Sequence, residues 1–392
     1  MTSPAGGSGQ LKVVHYLAHF PTLSQTFVMP LLRQARTVQP FVLARVIGEG
    51  SPAGIPVQAT EASPPRSKAW ARIEARLRGF ELREELSFWK SLRVLDDVDL
   101  VHAHFGPQGY AAARACSRLN LPLICTFYGY DLKLARSAVW QRRYRKLWAT
   151  ADVLAVEGPF MAETLVAMGA PRDRIVLQPL PVPVESIPFA PRTHADGEPL
   201  RLVQIARMVE KKGIDLSLRA VAEARALGID TQLDIVGDGP LESQLRALVI
   251  ELGIGAAVHF RGALDHPASL AALADAQLLI QPSRTASDGD TEGGAPYTIL
   301  EGQASGLLIV ASRHADIPNV VAPEAFFPCR ENDLGGLVKA LISARDASAD
   351  WGRRAQAGRA FVERGHSAGA VVAQMEAVYA RVVAERRAGW TH

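Results

Sequence analysis

Cysteine is scarce. Cys116, Cys125 and Cys329 are the whole complement of a 392-residue chain, an odd count without close pairs. This excludes a disulfide framework and a structural zinc site built on paired cysteines, and it fits a reducing cytoplasm. Long apolar runs are lacking as well, since no stretch approaches the roughly 18 apolar residues of a membrane span. Met1–Gln10 shows no charged-then-apolar leader pattern. Contact with a membrane is therefore expected to be peripheral, at the inner face. An excess of one charge is also missing: the formal net charge is +3, too little to imply a nucleic-acid partner. No GxGxxG follows the first strand of either half, which counts against a dinucleotide-dependent dehydrogenase. No Asp-x-Asp or His-rich cluster with metal-ligand geometry is evident. Asp288 and Asp290 form Asp-Gly-Asp in a loop, where solvation is the expected state.

What is present is ordinary for a packed protein: 48% hydrophobic and 21% charged residues. The length predicts about two domains. Two stretches are locally basic, Arg66–Arg93 and Arg142–Lys146. Beside the first, Trp70, Ile73, Leu77 and Phe80 recur at roughly helical spacing. Solvated helix faces account for both runs, and contact with an anionic membrane surface or an acidic acceptor is the sharper alternative.

Short apolar runs alternate with helical patterns. In the first half the strands are Val13–Leu17, Phe41–Val46, Leu100–Phe105, Leu121–Phe127, Val153–Val156 and Ile175–Leu177, and Gly48–Pro65 reads as a loop. Six prolines then fall within Gln178–Pro199, too many for a central strand or a long helix, so this stretch is read as the linker. The alternation restarts with strands Leu202–Ile205, Gln232–Val236, Val258–Phe260, Leu278–Gln281, Leu307–Ala311 and Phe326–Pro328. A last amphipathic helix, Ala368–Arg386, carries Val371, Val372, Met375, Val378, Tyr379 and Val382. Repeated β-α-β units predict parallel sheets with helices on both faces, and ligands in such sheets sit beyond the carboxyl ends of the strands.

Three segments lie at such strand ends. Arg207–Gly213, RMVEKKG, places Arg207 and Lys212 where two cations can neutralise a departing diphosphate; surface charge in a loop is the alternative. Val236–Pro240, VGDGP, is a Gly-rich strand-to-helix turn. The third is Glu292–Gly306, EGGAPYTILEGQASG. Its Gly293 and Gly294 let the backbone approach a ligand, and Pro296 suits the first position of a helix. The amides of Tyr297 and Thr298 are then free for phosphate. Glu301 lies one turn on, placed to accept two ribose hydroxyls. A helix start with solvated acids would read the same way.

Taken together, in this order and at these distances, the three segments resemble the retaining glycosyltransferase family 4. The first-half loop His19–Thr26, HFPTLSQT, resembles the branch associated with exopolysaccharide-type sugars. The resemblance implies a GT-B fold of two Rossmann-like doubly wound domains with an interdomain cleft. Its parts are an acceptor-binding domain over 1–180, a nucleotide-sugar-binding domain over 181–367, and a helix over 368–392 that crosses back to the first. It implies that Arg207 and Lys212 hold the donor diphosphate and that Glu301 binds the ribose. The amides of Tyr297 and Thr298 hold phosphate, and the loop Arg261–Leu264, with Gly262, lies near the base. Arg207, Lys212 and Glu292 are the catalytic candidates. The family's first acid stands eight residues before the second, whereas Glu292 and Glu301 are nine apart, so a strict count lands on Gly293 and the loop carries an extra residue. Acceptor and cleft candidates are His19, Ser24, His104 of HAHFG, and Tyr128 and Asp131 of TFYGYD, where many relatives have histidine in place of Tyr128. No cofactor and no metal is implied. The co-substrate is a nucleotide-diphosphate sugar, a UDP-sugar favoured, and the acceptor is a glycan, lipid-linked or small-molecule hydroxyl. A sugar-nucleotide epimerase or hydrolase of the same fold, and a non-catalytic sugar-nucleotide-binding subunit, are the alternatives.

Overall fold

A computed structural model describes residues 10–21, 27–48, 54–60, 79–195 and 197–389. Ser24, and Trp70, Ile73 and Leu77 of the basic first-half stretch, lie outside them, as does the side chain of Phe80. The chain divides into two units. The first comprises Met1–Val156, Ala162–Gln178 and Val372–His392, and the second Glu157–Met161 and Pro179–Val371.

The first unit is built on seven parallel strands: β1 Leu11–Phe20, β2 Val38–Ile47, β3 Val57–Ala59, β4 Leu100–His104, β5 Leu123–Phe127, β6 Val153–Val156 and β7 Ile175–Leu177. Their order is β3-β2-β1-β4-β5-β6-β7. β4, β5 and β6 are buried along their whole length, as expected where helices cover both faces. β3 corrects the reading of Gly48–Pro65 as loop throughout: Val57, Gln58 and Ala59 pair with Val42, Leu43 and Ala44 of β2. An edge strand of that length carries too little pattern to stand out between prolines and glycines.

The second unit holds six parallel strands: β8 Leu200–Ile205, β9 Thr231–Val236, β10 Val258–Gly262, β11 Leu278–Gln281, β12 Leu308–Ser312 and β13 Phe326–Cys329. Their order is β10-β9-β8-β11-β12-β13. The order reverses between β8 and β11, so the loops after these two strands splay apart and leave a crevice at their carboxyl ends.

The last helix, Ala368–Ala388, places Val372, Met375, Val378, Tyr379, Val382 and Val383 in one cluster with Val13, Leu100, Ile124 and Val153 of the first sheet. Burying six such side chains contributes on the order of 10 kcal/mol before entropy is counted. Polar contacts set its register. Glu376 Oε1 accepts the main-chain N–H groups of Arg36 and Thr37, both at 2.7 Å, while Arg386 pairs with Asp152 and Arg387 with Asp99. Among the described residues no helix is long and apolar enough to cross a membrane.

Candidate active site

In the second unit β8 leads into Ala206 and Arg207. The Met208 N–H donates to Asp238 O at 2.6 Å, and the Leu241 N–H donates to Met208 O at 3.1 Å. The loop after β8 is thus stitched to the VGDGP turn after β9. Two glycines make this possible. Gly237 (φ 129°) and Gly239 (φ 153°) adopt backbone conformations that L side chains rarely reach, and a Cβ at either would run into the carbonyl oxygen of Ala206 or Met208. The side chain of Arg207 is exposed and has no ion-pair partner among the described residues.

Lys212 ends the short turn Glu210–Lys212. Gln204 Nε2 donates to its carbonyl at 2.8 Å, and its Nζ donates to Glu292 Oε2 at 2.7 Å. Lys211 points the other way, to Asp290 Oδ1 at 3.2 Å and Thr291 O at 2.7 Å. Solvation of Asp290 is therefore corrected: it is the partner of a buried ammonium, a contact that needs the loop after β11 to fold back over the loop after β8. Arg284 reinforces this through a bidentate pair with Asp215, at 3.0 and 2.9 Å.

Glu292 is buried. Ser283 Oγ donates to its Oε1 at 2.6 Å, and Gln281 Nε2 supports Ser283 at 2.8 Å. Burial pushes the Glu292 carboxyl up, but the charges of Lys212 and Lys211 and the bonds from Lys212 and Ser283 outweigh it, and the pKa lies below the ordinary value. Glu292 is thus an ionised carboxylate within the Lys212 pair. Its main-chain N–H donates to His314 Nε2 at 3.1 Å, and His314 Nδ1 meets Glu331 Oε1 at 2.7 Å. Sequence reasoning missed both His314 and Glu331. Neither belongs to a motif, and only the pairing of β12 between β11 and β13 brings them beside the loop.

Pro296 stands one residue before the helix Tyr297–Ser305 rather than within it, in extended conformation. The amides of Tyr297 and Thr298 precede the first turn bond, which Ile299 N–H makes to Pro296 O at 3.0 Å. Thr298 Oγ1 is buried without a hydrogen-bond partner among the described residues. Tyr297 OH donates to Pro181 O at 2.8 Å. One turn on, Glu301 is buried with its Oε1 2.6 Å from His266 Nε2. The hydrogen bond to Glu301 is the main cause of a raised His266 pKa. His266 opens the helix His266–Asp275, whose preceding Asp265 side chain accepts Ala268 N–H at 2.9 Å. Gly262 (φ 69°) ends β10, and its carbonyl accepts Gly237 N–H at 2.8 Å, which places the loop Arg261–Leu264 beside the glycine turn. Gly293 (φ 79°) and Gly294 complete the loop between the two acids. Arg207, Lys212, Gly262, Glu292, Gly293, Gly294, Tyr297, Thr298 and Glu301 therefore lie in one unit, on the loops and helix starts around its crevice.

The first-unit candidates fare differently. His19 is exposed, with Arg45 Nη2 at 3.5 Å from its Nε2. Asp131 is fully buried and its carboxylate accepts Gly106 N–H at 3.0 Å and Tyr128 N–H at 3.3 Å. Burial raises its pKa to about 6. It ties two backbone segments together and does not offer itself to a ligand. His104 is also fully buried, so it does not line a cleft directly; its Nδ1 lies 2.8 Å from the hydroxyl of half-buried Tyr128.

His104 is not alone. β1 and β4 pair with His15 opposite His102, and His104 follows two residues on, on the same face. Among the described residues these three form the one group whose potential metal-ligand atoms gather, within 4.8 Å of one another. Two of the three ring pairs stack, however, with interplanar angles of 17° for His15–His104 and 27° for His102–His104, and His15–His102 is tilted at 44°. Near-parallel rings do not aim their lone pairs at one point. Five of the six nitrogens are also engaged, His15 Nδ1 with His104 Nε2 at 3.0 Å, His102 with Tyr379 OH at 2.6 Å and Thr126 Oγ1 at 2.7 Å, and His104 Nδ1 with Tyr128 OH, while His15 Nε2 is buried without a partner among the described residues. The arrangement is a hydrogen-bonded stack, and burial holds all three imidazoles well below their ordinary pKa, His15 at about 3.

Comparison with known proteins bears on the family and the fold. Residues 34–186 match the model described as Glycosyltransferase Family 4, and residues 188–358 match Glycosyl transferases group 1. The chain is 30% identical over 259 residues to the putative colanic acid biosynthesis glycosyltransferase WcaL of Escherichia coli (strain K12), covering 64% of this chain and 63% of that one. It is 28% identical over 270 residues to the amylovoran biosynthesis glycosyltransferase AmsK of Erwinia amylovora, covering 68% and 66%. The matched stretches thus span just under two thirds of these relatives' own lengths. A similar solved structure is Alr3699/HepE of Anabaena in complex with UDP, with a TM-score of 0.73 at 13% identity over 95% of this chain and 100% of that one. That likeness shows the GT-B fold. With consecutive family matches over both units and the two parallel-sheet units of that fold, the chain belongs to glycosyltransferase family 4.

Proposed function

We propose that this protein is a retaining hexosyltransferase that moves a sugar from a nucleotide-diphosphate sugar to a hydroxyl of a glycan, lipid-linked or small-molecule acceptor. The observation that carries this reading is the gathering, around one crevice, of an uncommitted cation (Arg207), a helix start with a buried unpartnered hydroxyl (Thr298) and two buried acids (Glu292 and Glu301). Arg207 and Lys212 meet the diphosphate, the amides of Tyr297 and Thr298 take its oxygens, Glu301 accepts ribose hydroxyls, and Glu292 faces the sugar ring. In the reaction the bond from the anomeric carbon to the phosphate oxygen breaks. The acceptor oxygen bonds to that carbon on the same face, and the acceptor proton passes to the departing phosphate. Negative charge grows on the phosphate, so Arg207, Lys212 and the helix-start amides stabilise the transition state more than the ground state. A UDP-sugar is the favoured donor, in keeping with the UDP bound to HepE. The names of WcaL and AmsK favour an exopolysaccharide-type acceptor, met on the cytoplasmic side of the membrane. Incubation with a panel of UDP- and GDP-sugars and mixed polysaccharide precursors tests this. Release of nucleotide with transfer to an acceptor, and an anomeric signal matching the donor's, is the expected outcome.

Three further results are expected. Glu301→Ala should weaken binding of free UDP about tenfold or more, because charge-assisted hydrogen bonds to ribose, worth about 1.5–3 kcal/mol, are lost. Glu292→Gln should leave UDP affinity within about twofold and impair transfer, because its target is the sugar; titration calorimetry separates the two, and the reverse pattern would mean that the acids exchange roles. Transfer should also continue unchanged in excess EDTA, because fixed cations meet the leaving group where other transferases use a divalent ion. Loss of activity that manganese or magnesium restores would overturn this part of the mechanism.

A further inference from the structure

We propose that His314 and Glu331 form a brace that positions Glu292 for the sugar ring of the donor; this rests on reading Glu292 as the sugar-facing acid. Glu292 belongs to a loop one residue longer than the family's spacing, with Gly293 and Gly294 directly after it, and such a segment has little backbone stiffness of its own. Its carboxylate is anchored by Lys212 at 2.7 Å and Ser283 at 2.6 Å. Its backbone is anchored separately, by one bond from the Glu292 N–H to His314 Nε2 at 3.1 Å.

That bond settles the tautomer of His314. A backbone N–H only donates, so Nε2 carries no proton, and Nδ1 must hold it. The Nδ1–H therefore donates to Glu331 Oε1 at 2.7 Å, and Glu331 Oε2 accepts Thr285 N–H at 2.9 Å. The His314 side chain is 2% exposed and that of Glu331 33%, so the acceptor facing Glu292 is sealed from water while its partner reaches the surface. Without Glu331 the ring is free to take the other tautomer, which presents an N–H to an N–H and breaks the contact. Thr285 opens the same loop that Glu292 closes, so Glu331 pins one end directly and the other through the imidazole. His314 and Glu331 touch neither nucleotide nor sugar in this arrangement; they are positioning residues.

Two replacements of His314 separate positioning from simple filling of space. His314→Phe fills the volume and offers no acceptor, whereas the carbonyl of His314→Gln reaches the place of Nε2. On the ligand-free full chain, amide hydrogen exchange at Glu292 is expected to rise tenfold or more in His314→Phe. It should rise to an intermediate degree in Glu331→Ala and recover most of its protection in His314→Gln. Turnover of the donor probes UDP-glucose and GDP-mannose should follow the same order, falling about tenfold or more in His314→Phe, while the Kd for free UDP or GDP stays within about twofold. Equal effects of Phe and Gln, unchanged exchange at Glu292 in His314→Phe, or a matching loss of nucleotide affinity would each overturn the brace. Should His314→Phe fail to fold, Glu331→Ala and His314→Gln carry the same comparison. Glu292→Gln tells the two failures apart. If it keeps wild-type turnover, the sugar-facing role falls and the brace with it. If it loses turnover and His314→Phe does not, only the brace is overturned.

Discussion

Arg207→Ala is expected to lower donor turnover about a hundredfold or more while leaving the folded state almost untouched. The size follows from the work assigned to the guanidinium. Removing one group that meets charge developing in the transition state costs roughly 3 kcal/mol of barrier, and each 1.36 kcal/mol is about a factor of ten in rate. The neutrality towards folding follows from the structure: Arg207 is exposed and, among the described residues, leaves no ion-pair partner behind. Lys212 is a less clean subject. Its ammonium is buried against Glu292, so Lys212→Ala strands a buried carboxylate, and breaking a pair in that state costs about 3–5 kcal/mol of stability. Arg207 is therefore expected to matter to turnover far more than to folding, and Lys212 to both. Steady-state kinetics beside a melting curve decides the matter. An Arg207→Ala enzyme within threefold of wild type would remove Arg207 from the leaving-group site.

Acidification is expected to destabilise the first unit steeply. In an unfolded chain His15, His102 and His104 take up protons near pH 6.5. In the fold, burial holds His15 at about 3 and the other two well below their ordinary value. Between those limits the unfolded state binds protons that the native state refuses, so stability falls as pH drops below 6.5 and is unaffected by them above it. Well inside that window each such histidine removes about 1.4 kcal/mol per pH unit. Asp131 acts in the opposite sense. Burial raises its carboxyl to about 6, so it relieves part of the loss as pH falls through 6. Burial also raises the Glu84 carboxyl, which acts in the same sense as Asp131, and three imidazoles against these two carboxyls leave a net loss. Urea unfolding followed through Trp148, which is buried in this unit, should show it between pH 7.5 and 5. His15→Gln should cut the slope by about 1.4 kcal/mol per pH unit, and an unchanged slope would mean that His15 is already solvated in the native state.

Much of the second unit can be read from its residues in order. Apolar runs of strand length alternate with helical patterns, and this alternation predicts β8 to β13; β11 and β12 are apolar runs buried along their length, whereas the edge strand β10 carries polar residues at exposed positions. Gly237 and Gly239 are legible as well: a strand-to-helix turn that crowds its own backbone has no room for a Cβ. Arg207, Lys212 and Glu301 are legible because each stands at a strand end or one turn into a helix, where local geometry fixes direction. The short edge strand β3 is not legible, since Val-Gln-Ala between prolines and glycines lacks the continuous apolar run that marks the equally short β7, Ile-Val-Leu.

Local order along the chain thus determined the elements, the glycine turns and the residues that local geometry aims at the crevice, because these depend on contacts a few positions apart. The tertiary structure alone decided which polar groups are paired. The Lys211–Asp290 and Lys212–Glu292 contacts span about eighty positions each. His15 and His104 are 89 apart, and His102 finds Tyr379 at a separation of 277. Asp290 read as solvated and His104 as a cleft candidate because a side chain's charge state and partner depend on what the fold buries beside it. Strand order, not sequence neighbourhood, makes that choice: β4 lies next to β1, and β12 lies between β11 and β13. The cost of leaving a buried polar group unpaired then holds the partners together.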